Sequence, residues 1–173
     1  PQHFLQESVL RAFERMGRAA RDARVDLAVH THANHRRSLT PLVTDAVSRL
    51  LDAGVRAVRN QAVLMRGIND SSEQILDLCF ALADEVQVTP YYLFMGDLIP
   101  NGEHWRTPLH VAQAIQDDIL GYLSGFATPR VSVDVPYVGK RLVHQASSYD
   151  RVRGISTWTK NYRTPLDSPE REL

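Results

Sequence analysis

Residues 86–97, VQVTPYYLFMGD, and 130–140, RVSVDVPYVGK, decide the fold. Each reads as a β-strand running out into a loop, with β-branched and aromatic residues along its length and polar residues at its carboxyl end. One amphipathic helix, over about residues 108–124, lies between them. A strand–helix–strand unit of that length makes the two strands parallel neighbours. Both strand ends then open onto one rim, where α/β proteins put their active sites. Asp97, Asp134 and Lys140 are thereby gathered around one pocket. Two carboxylates suit a cationic group, and a primary amine suits a carbonyl, as in a Schiff base.

Working outward, helices and strands alternate. Residues 4–22 carry helical periodicity, with Phe4, Leu5, Val9, Leu10, Phe13 and Met16 on the apolar side. VDLAV (25–29) reads as a strand, followed by the polar loop HTHANHRRS. Thr40-Pro41 starts a helix that runs to Ala53, with Gly54 as C-cap. VRAVRNQAVL (55–64) is the next strand, and Asp70 or Ser71 caps a helix to about Ala83. Strands over 86–94 and 130–134 follow, separated by a long loop (96–107) and a second Thr-Pro helix start at Thr107-Pro108. Four βα units make part of a barrel or an open parallel sheet. The stretch after residue 144 is polar and reads as irregular, with a short strand at Ile155–Thr159. Residues 1–145 are therefore expected to form the βα unit and 146–173 a tail.

Composition narrows the function classes. At 173 residues the chain is one domain with room for a real core. Twenty basic and twenty acidic residues balance, which argues against a dedicated nucleic-acid or membrane surface. The single cysteine, Cys79, excludes an intrachain disulfide and a cysteine metal cluster. No apolar run approaches the ~20 residues that span a bilayer, and the N-terminus is not a signal peptide, so a cytoplasmic protein is expected. A start at Pro1, entering a helix almost at once, reads as a piece of a longer protein.

Five segments then converge. HTHANH (30–35), VRNQAVLMRGIND (58–70), PYYLFMGD (90–97), EHWRTP (103–108) and DVPYVGK (134–140) occur in the order and spacing of the lysine 2,3-aminomutase family. The chain resembles the C-terminal half of the barrel of these radical S-adenosylmethionine enzymes, which also use pyridoxal phosphate. The resemblance covers about residues 25–145. It implies a partial (β/α) radical-SAM-type barrel and a radical isomerase that moves the amino group of a basic amino acid from C2 to C3. It also implies a [4Fe–4S] cluster, but the family's CxxxCxxC motif is absent here, and one cysteine cannot supply three thiolates. This chain alone is therefore expected to be inactive. A full-length homo-oligomer is expected, with a small basic amino acid as partner and neither nucleic acid nor membrane.

The resemblance also implies roles. Lys140 matches the family lysine that joins pyridoxal phosphate, so a partly buried amine is expected. The family loop often reads PGGGGK; here PYVGK is one residue shorter, with Tyr137 and Val138 in place of glycines. Asp97 and Asp134 match the aspartates that hold the distal ammonium of the substrate, and a bound cation relieves their mutual repulsion. His30 and His32, in the loop after the first strand, and Asn60 and Gln61, before MRGIND, fall beside S-adenosylmethionine.

Other readings of the residues stay open. His30, His32 and His35 could supply metal ligands from a strand end, against which stands the lack of an acidic residue in the loop. Asn60 and Gln61 could be a satisfied polar pair within the barrel. Arg66, Asn69 and Asp70 read as a turn with a helix cap. His104, Trp105 and Arg106 are expected to fix the loop carrying Asp97. Tyr91 and Tyr92 are expected on opposite faces of their strand. Trp158, Lys160 and Tyr162 could form a subunit contact. The alternatives to the mutase are a relative acting on arginine or a protein-bound lysine, and a non-catalytic half-barrel whose open edges self-associate.

Overall fold

A computed structural model describes residues 1–160 and 162. Its main sheet has five strands in sequential order: β1 (Ala28–Thr31), β2 (Ala57–Leu64), β3 (Thr89–Met95), β4 (Arg130–Val135) and β5 (Gly139–Leu142). β1 to β4 are parallel, and β5 returns antiparallel to β4. The crossovers are α2 (Pro41–Asp52), α3 (Ser72–Phe80) and α4 (Leu109–Leu120), with α1 (Glu7–Asp22) before the first strand. Strands added one after another by right-handed crossovers leave every helix on the same side, which is barrel winding; a doubly wound sheet reverses its order.

The core fills the helix-covered side. Leu64, Leu93 and Val131 from the strands meet Leu50, Ile75, Leu78, Ile115 and Ile119 from the helices, all at most 2% exposed. The strict alternation of buried and half-buried residues along β2 shows that only one face of the sheet is covered. The other face carries Arg59, Gln61, Val63, Phe94, Asp134 and Lys140. Local signals act where the sequence places them. Ser71 accepts a hydrogen bond from the Gln74 amide, and Pro41 occupies the first turn of α2, although the Thr40 side chain makes no cap bond. Gly54, at φ 100°, closes α2.

Several boundaries differ from the expectation. β1 lies three residues later than VDLAV, because the strand extends into polar His30 and Thr31, which an open face accommodates. β3 starts at Thr89 rather than Val86: Gln87, at φ 58°, breaks the extended chain while Val86 and Val88 stay in the core. α3 ends at Phe80 and continues as a π-helical turn over Ala81–Glu85, and α4 stops at Leu120 rather than about 124.

The largest correction falls after β4. Among the described residues no α-helix follows it; the chain turns through Pro136-Tyr137-Val138 into β5, so Lys140 stands on a strand and not in a loop. Nor is the stretch after 144 irregular: β6 (Ser148–Asp150) and β7 (Ile155–Thr157) form a second hairpin. Trp158 packs against the core, and Tyr162 donates a hydrogen bond to the Val138 carbonyl (2.9 Å). The remainder of the expected tail, residues 161 and 163–173, lies outside the described residues. No helix among the described residues is long and apolar enough to cross a membrane.

Candidate active site

The carboxyl ends of β2, β3 and β4 enclose a cavity of about 450 Å³ lined by His32, Met65, Phe94, Asp97, Arg106 and Asp134. Asp97 and Asp134 therefore share one space, as the parallel pairing requires. A second cavity, of about 490 Å³, continues past Asp134 toward Thr107, Tyr149 and Trp158. Among the described residues the Thr107 hydroxyl there is buried without a hydrogen-bond partner, as is that of Ser132 on β4.

Lys140 faces Asp134 across the β4–β5 ladder, and its Nζ lies 2.8 Å from the Asp134 carboxylate. Its Nζ also sits 4.1 Å from the centre of the Phe94 ring, which stacks on Tyr92 (5.3 Å, 14°). The Lys140 side chain is 42% exposed, so the amine is partly covered on a sheet face with no further layer among the described residues. Asp97 has no ion pair among the described residues. Its loop is held from behind. Arg106 donates to the carbonyls of Asp97 (3.4 Å) and Ile99 (3.3 Å), and the Trp105 carbonyl accepts from the Arg66 amide (2.9 Å). Of the three residues expected to fix this loop, Arg106 is the one that bonds it.

The two loops at the β1 and β2 ends are bonded into one unit. Asn69, fully buried, accepts from the Met65 amide (2.7 Å) and donates to the carbonyls of Asn34 (2.6 Å) and Val63 (2.9 Å). Asn34 in turn accepts from the Val63 amide (2.9 Å). Asp70 accepts from the Gly67 amide (3.0 Å), so MRGIND is the turn that its residues suggest.

Asn60 and Gln61 part company. Asn60 is 2% exposed and closes a two-way clasp with Ala33, accepting from its amide (2.8 Å) and donating to its carbonyl (2.9 Å). Its amide is committed to the fold and does not reach the open face. Gln61 does, and pairs with His30 Nδ1 at 2.8 Å. Adjacent strand residues point opposite ways, so the sequence itself limits the face to one of the two amides. His32 lines the cavity, whereas His35 turns back to accept from the Arg37 amide. Among the described residues no three His, Cys, Asp or Glu side chains gather as a metal site.

Tyr91 and Tyr92 break the alternation rule. The β2–β3 register shifts at Asn60/Gln61, so Tyr91 has no partner opposite it. Its ring lies edge-on to His30 (5.3 Å) and under Arg59 (5.2 Å), while Tyr92 lies by Phe94 and Lys140. Both rings therefore border the open face. Pro90, which has no N–H to give a ladder, sits beside the shift.

The groups implied by the resemblance can be tested against these residues. An amine on an open face above two stacked rings fits the planar ring and aldehyde of pyridoxal phosphate. The polar edge of His30, His32 and Gln61 fits part of S-adenosylmethionine. A [4Fe–4S] cluster does not fit: Cys79 is the sole cysteine, is buried against the core, and burial pushes its thiol up to about 12.

Four parallel strands wound in one direction, with helices on one face and a carboxylate-lined cavity at the strand ends, define a segment of a βα barrel. Comparison with known proteins carries this further. The chain is 34% identical over 163 residues to a provisionally assigned L-lysine 2,3-aminomutase of Aquifex aeolicus, covering 94% of this chain and 41% of that protein. It is 41% identical over 108 residues to the L-lysine 2,3-aminomutase of Fusobacterium nucleatum, covering 62% and 25%. It is 31% identical over 148 residues to the glutamate 2,3-aminomutase of Clostridioides difficile, covering 82% and 34%. The chain is thus a homologue of lysine 2,3-aminomutases and corresponds to the C-terminal part of these relatives. It spans less than half the length of these curated relatives. A radical SAM methyltransferase structure from Sphaerobacter thermophilus matches with a TM-score of 0.47 at 22% identity, covering 80% of this chain and 40% of that one. No family model matches.

Proposed function

We propose that this chain is part of an isomerase that moves an amino group of a basic amino acid from C2 to C3 by a radical route. The observation that carries the reading is the meeting of Asp97, Asp134 and Lys140 at one rim, with Lys140 bonded to Asp134. Relatives named for lysine and for glutamate share the amino-group shift in their names. The acidic pair favours the cationic substrate of the two.

In this reading Lys140 holds pyridoxal phosphate above Tyr92 and Phe94, and His30, His32 and Gln61 flank S-adenosylmethionine. Bound there, pyridoxal phosphate would supply the conjugated ring that spreads an unpaired electron, and S-adenosylmethionine would supply the radical on receiving one electron from a reduced centre outside this chain. The chain's own residues position the substrate. Asp97 and Asp134 accept hydrogen bonds from its distal ammonium or guanidinium. Arg106 holds the loop that carries Asp97. The Asp134–Lys140 pair is about half exposed, so it is worth about 1 kcal/mol or less and opens readily for an incoming cation. A substrate carboxylate would instead meet two like charges, each costing about 1 kcal/mol at 4 Å even in water.

The test uses the full-length protein with S-adenosylmethionine, pyridoxal phosphate and a reductant, offered L-lysine, L-arginine and L-glutamate separately. The expected result is a 3-amino isomer from a basic amino acid, with KM raised in Asp97→Asn. Turnover of L-glutamate alone would overturn the reading. Turnover of none of the three would favour the non-catalytic half-barrel.

A further inference from the structure

We infer that Arg141 and Tyr162 are positioning residues for Lys140, and that the chain after β7 sets where the amine stands. The inference rests on the proposed role of Lys140.

β5 is a four-residue edge strand, held by a ladder on one side only. Its turn is closed by the Val138 amide on the Val135 carbonyl (3.1 Å) with Pro136 well suited to its place, but Tyr137 adopts φ 62°, where a non-glycine residue is uncommon. Four residues laddered on one side hold a register weakly, and a one-residue slip would carry Lys140 to the opposite face.

What holds β5 from its outer side is the returning chain. Tyr162 donates its hydroxyl to the Val138 carbonyl at 2.9 Å. Its hydroxyl occupies the space that a side chain at Gly139 would need. Arg141, 7% exposed, alternates with Lys140 and so reaches the other way. It donates Nε and Nη2 to the Thr159 carbonyl (3.2 and 3.0 Å) and Nη1 to the carbonyl of Lys140 itself (3.1 Å). Its guanidinium also lies 5.6 Å from the centre of the Tyr162 ring. Carbonyls on either side of Gly139 are thereby bonded by side chains where a neighbouring strand is missing. The grip thus falls on Val138, two residues before Lys140, and on the carbonyl of Lys140 itself.

The sequence provides a second site for comparison, Lys160, whose Nζ lies 5.0 Å from the centre of the Tyr162 ring that phenylalanine retains. The experiment is borohydride trapping of pyridoxal phosphate on the full-length protein, followed by peptide mapping of both lysines. Parent, Tyr162→Phe and Arg141→Met proteins are compared across pH. Tyr162→Phe keeps the ring and removes one hydrogen bond, so it is the variant expected to fold. The expected result is that the rate of trapping at Lys140 falls about two- to tenfold in Tyr162→Phe, the factor for one neutral hydrogen bond, and further in Arg141→Met. The ratio of Lys140 to Lys160 label falls with it while the far-UV spectrum is unchanged, which a merely structural role would not produce. Unchanged rate and ratio in Tyr162→Phe would overturn the inference alone. A parent protein with no label on Lys140 would overturn both the inference and the proposed function.

Discussion

Asn69→Ala tests how the rim is held. Asn69 is fully buried, and its carboxamide makes three hydrogen bonds, to the Met65 amide and to the carbonyls of Asn34 and Val63. Alanine removes all three and leaves three backbone groups without these partners. At about 1 kcal/mol per neutral hydrogen bond the loss is about 3 kcal/mol. In a domain of about 150–250 residues that lowers the melting temperature by about 6–12 °C, and in a longer full-length protein by proportionately less. Asp70→Ala is the control, since Asp70 makes one exposed bond to the Gly67 amide, and about 1 kcal/mol or less is expected. Thermal and urea unfolding of the full-length protein, read by circular dichroism, measure both. If Asn69→Ala were no more destabilising than Asp70→Ala, the claim that one side chain ties the β1 and β2 loops together would be refuted.

Other outcomes follow from the same geometry. Leu93→Ala, in a side chain 1% exposed at the centre of the core, should cost about 2–5 kcal/mol in urea unfolding. Thr107→Val replaces a buried hydroxyl that has no partner with a methyl, so stability should hold or rise; a loss above about 1 kcal/mol would show an unseen bond. Cys79 has its thiol pushed by burial from about 9 to about 12, so the folded state keeps a proton that the unfolded state releases. Stability should therefore fall as pH rises from 9 toward 12, and Cys79→Ala should flatten that slope in pH-dependent unfolding.

Much of this was legible in the sequence, for physical reasons. Period-two and period-3.6 patterns locate β2, β3, β4 and the three crossover helices, because those elements bury one face against a large core. The meeting of Asp97 and Asp134 follows from parallel pairing alone. β5 escaped because GKRL is short, polar and an edge strand, and because Tyr137 takes a backbone conformation usually left to glycine or asparagine. A signal was present nonetheless: Asp134 and Lys140 lie equally far from Tyr137, the spacing of opposed residues in a hairpin. Tyr91 joined Tyr92 on the open face because a register shift, which no single-strand pattern encodes, left it unpaired. From sequence Asn60 reads equally as a ligand donor or as a satisfied polar group, and the second holds: its amide answers a backbone need at Ala33 that exists only once β1 and β2 are side by side.

The central claim is best tested by following the nitrogen. L-lysine and L-arginine labelled with ¹⁵N at the α-amino group, incubated separately with the full-length protein and its cofactors, should each be scored by NMR for ¹⁵N at C3. The account predicts label at C3 from at least one of them, lost in Lys140→Ala. Label remaining at C2 from both substrates, or migration that survives Lys140→Ala, would contradict it.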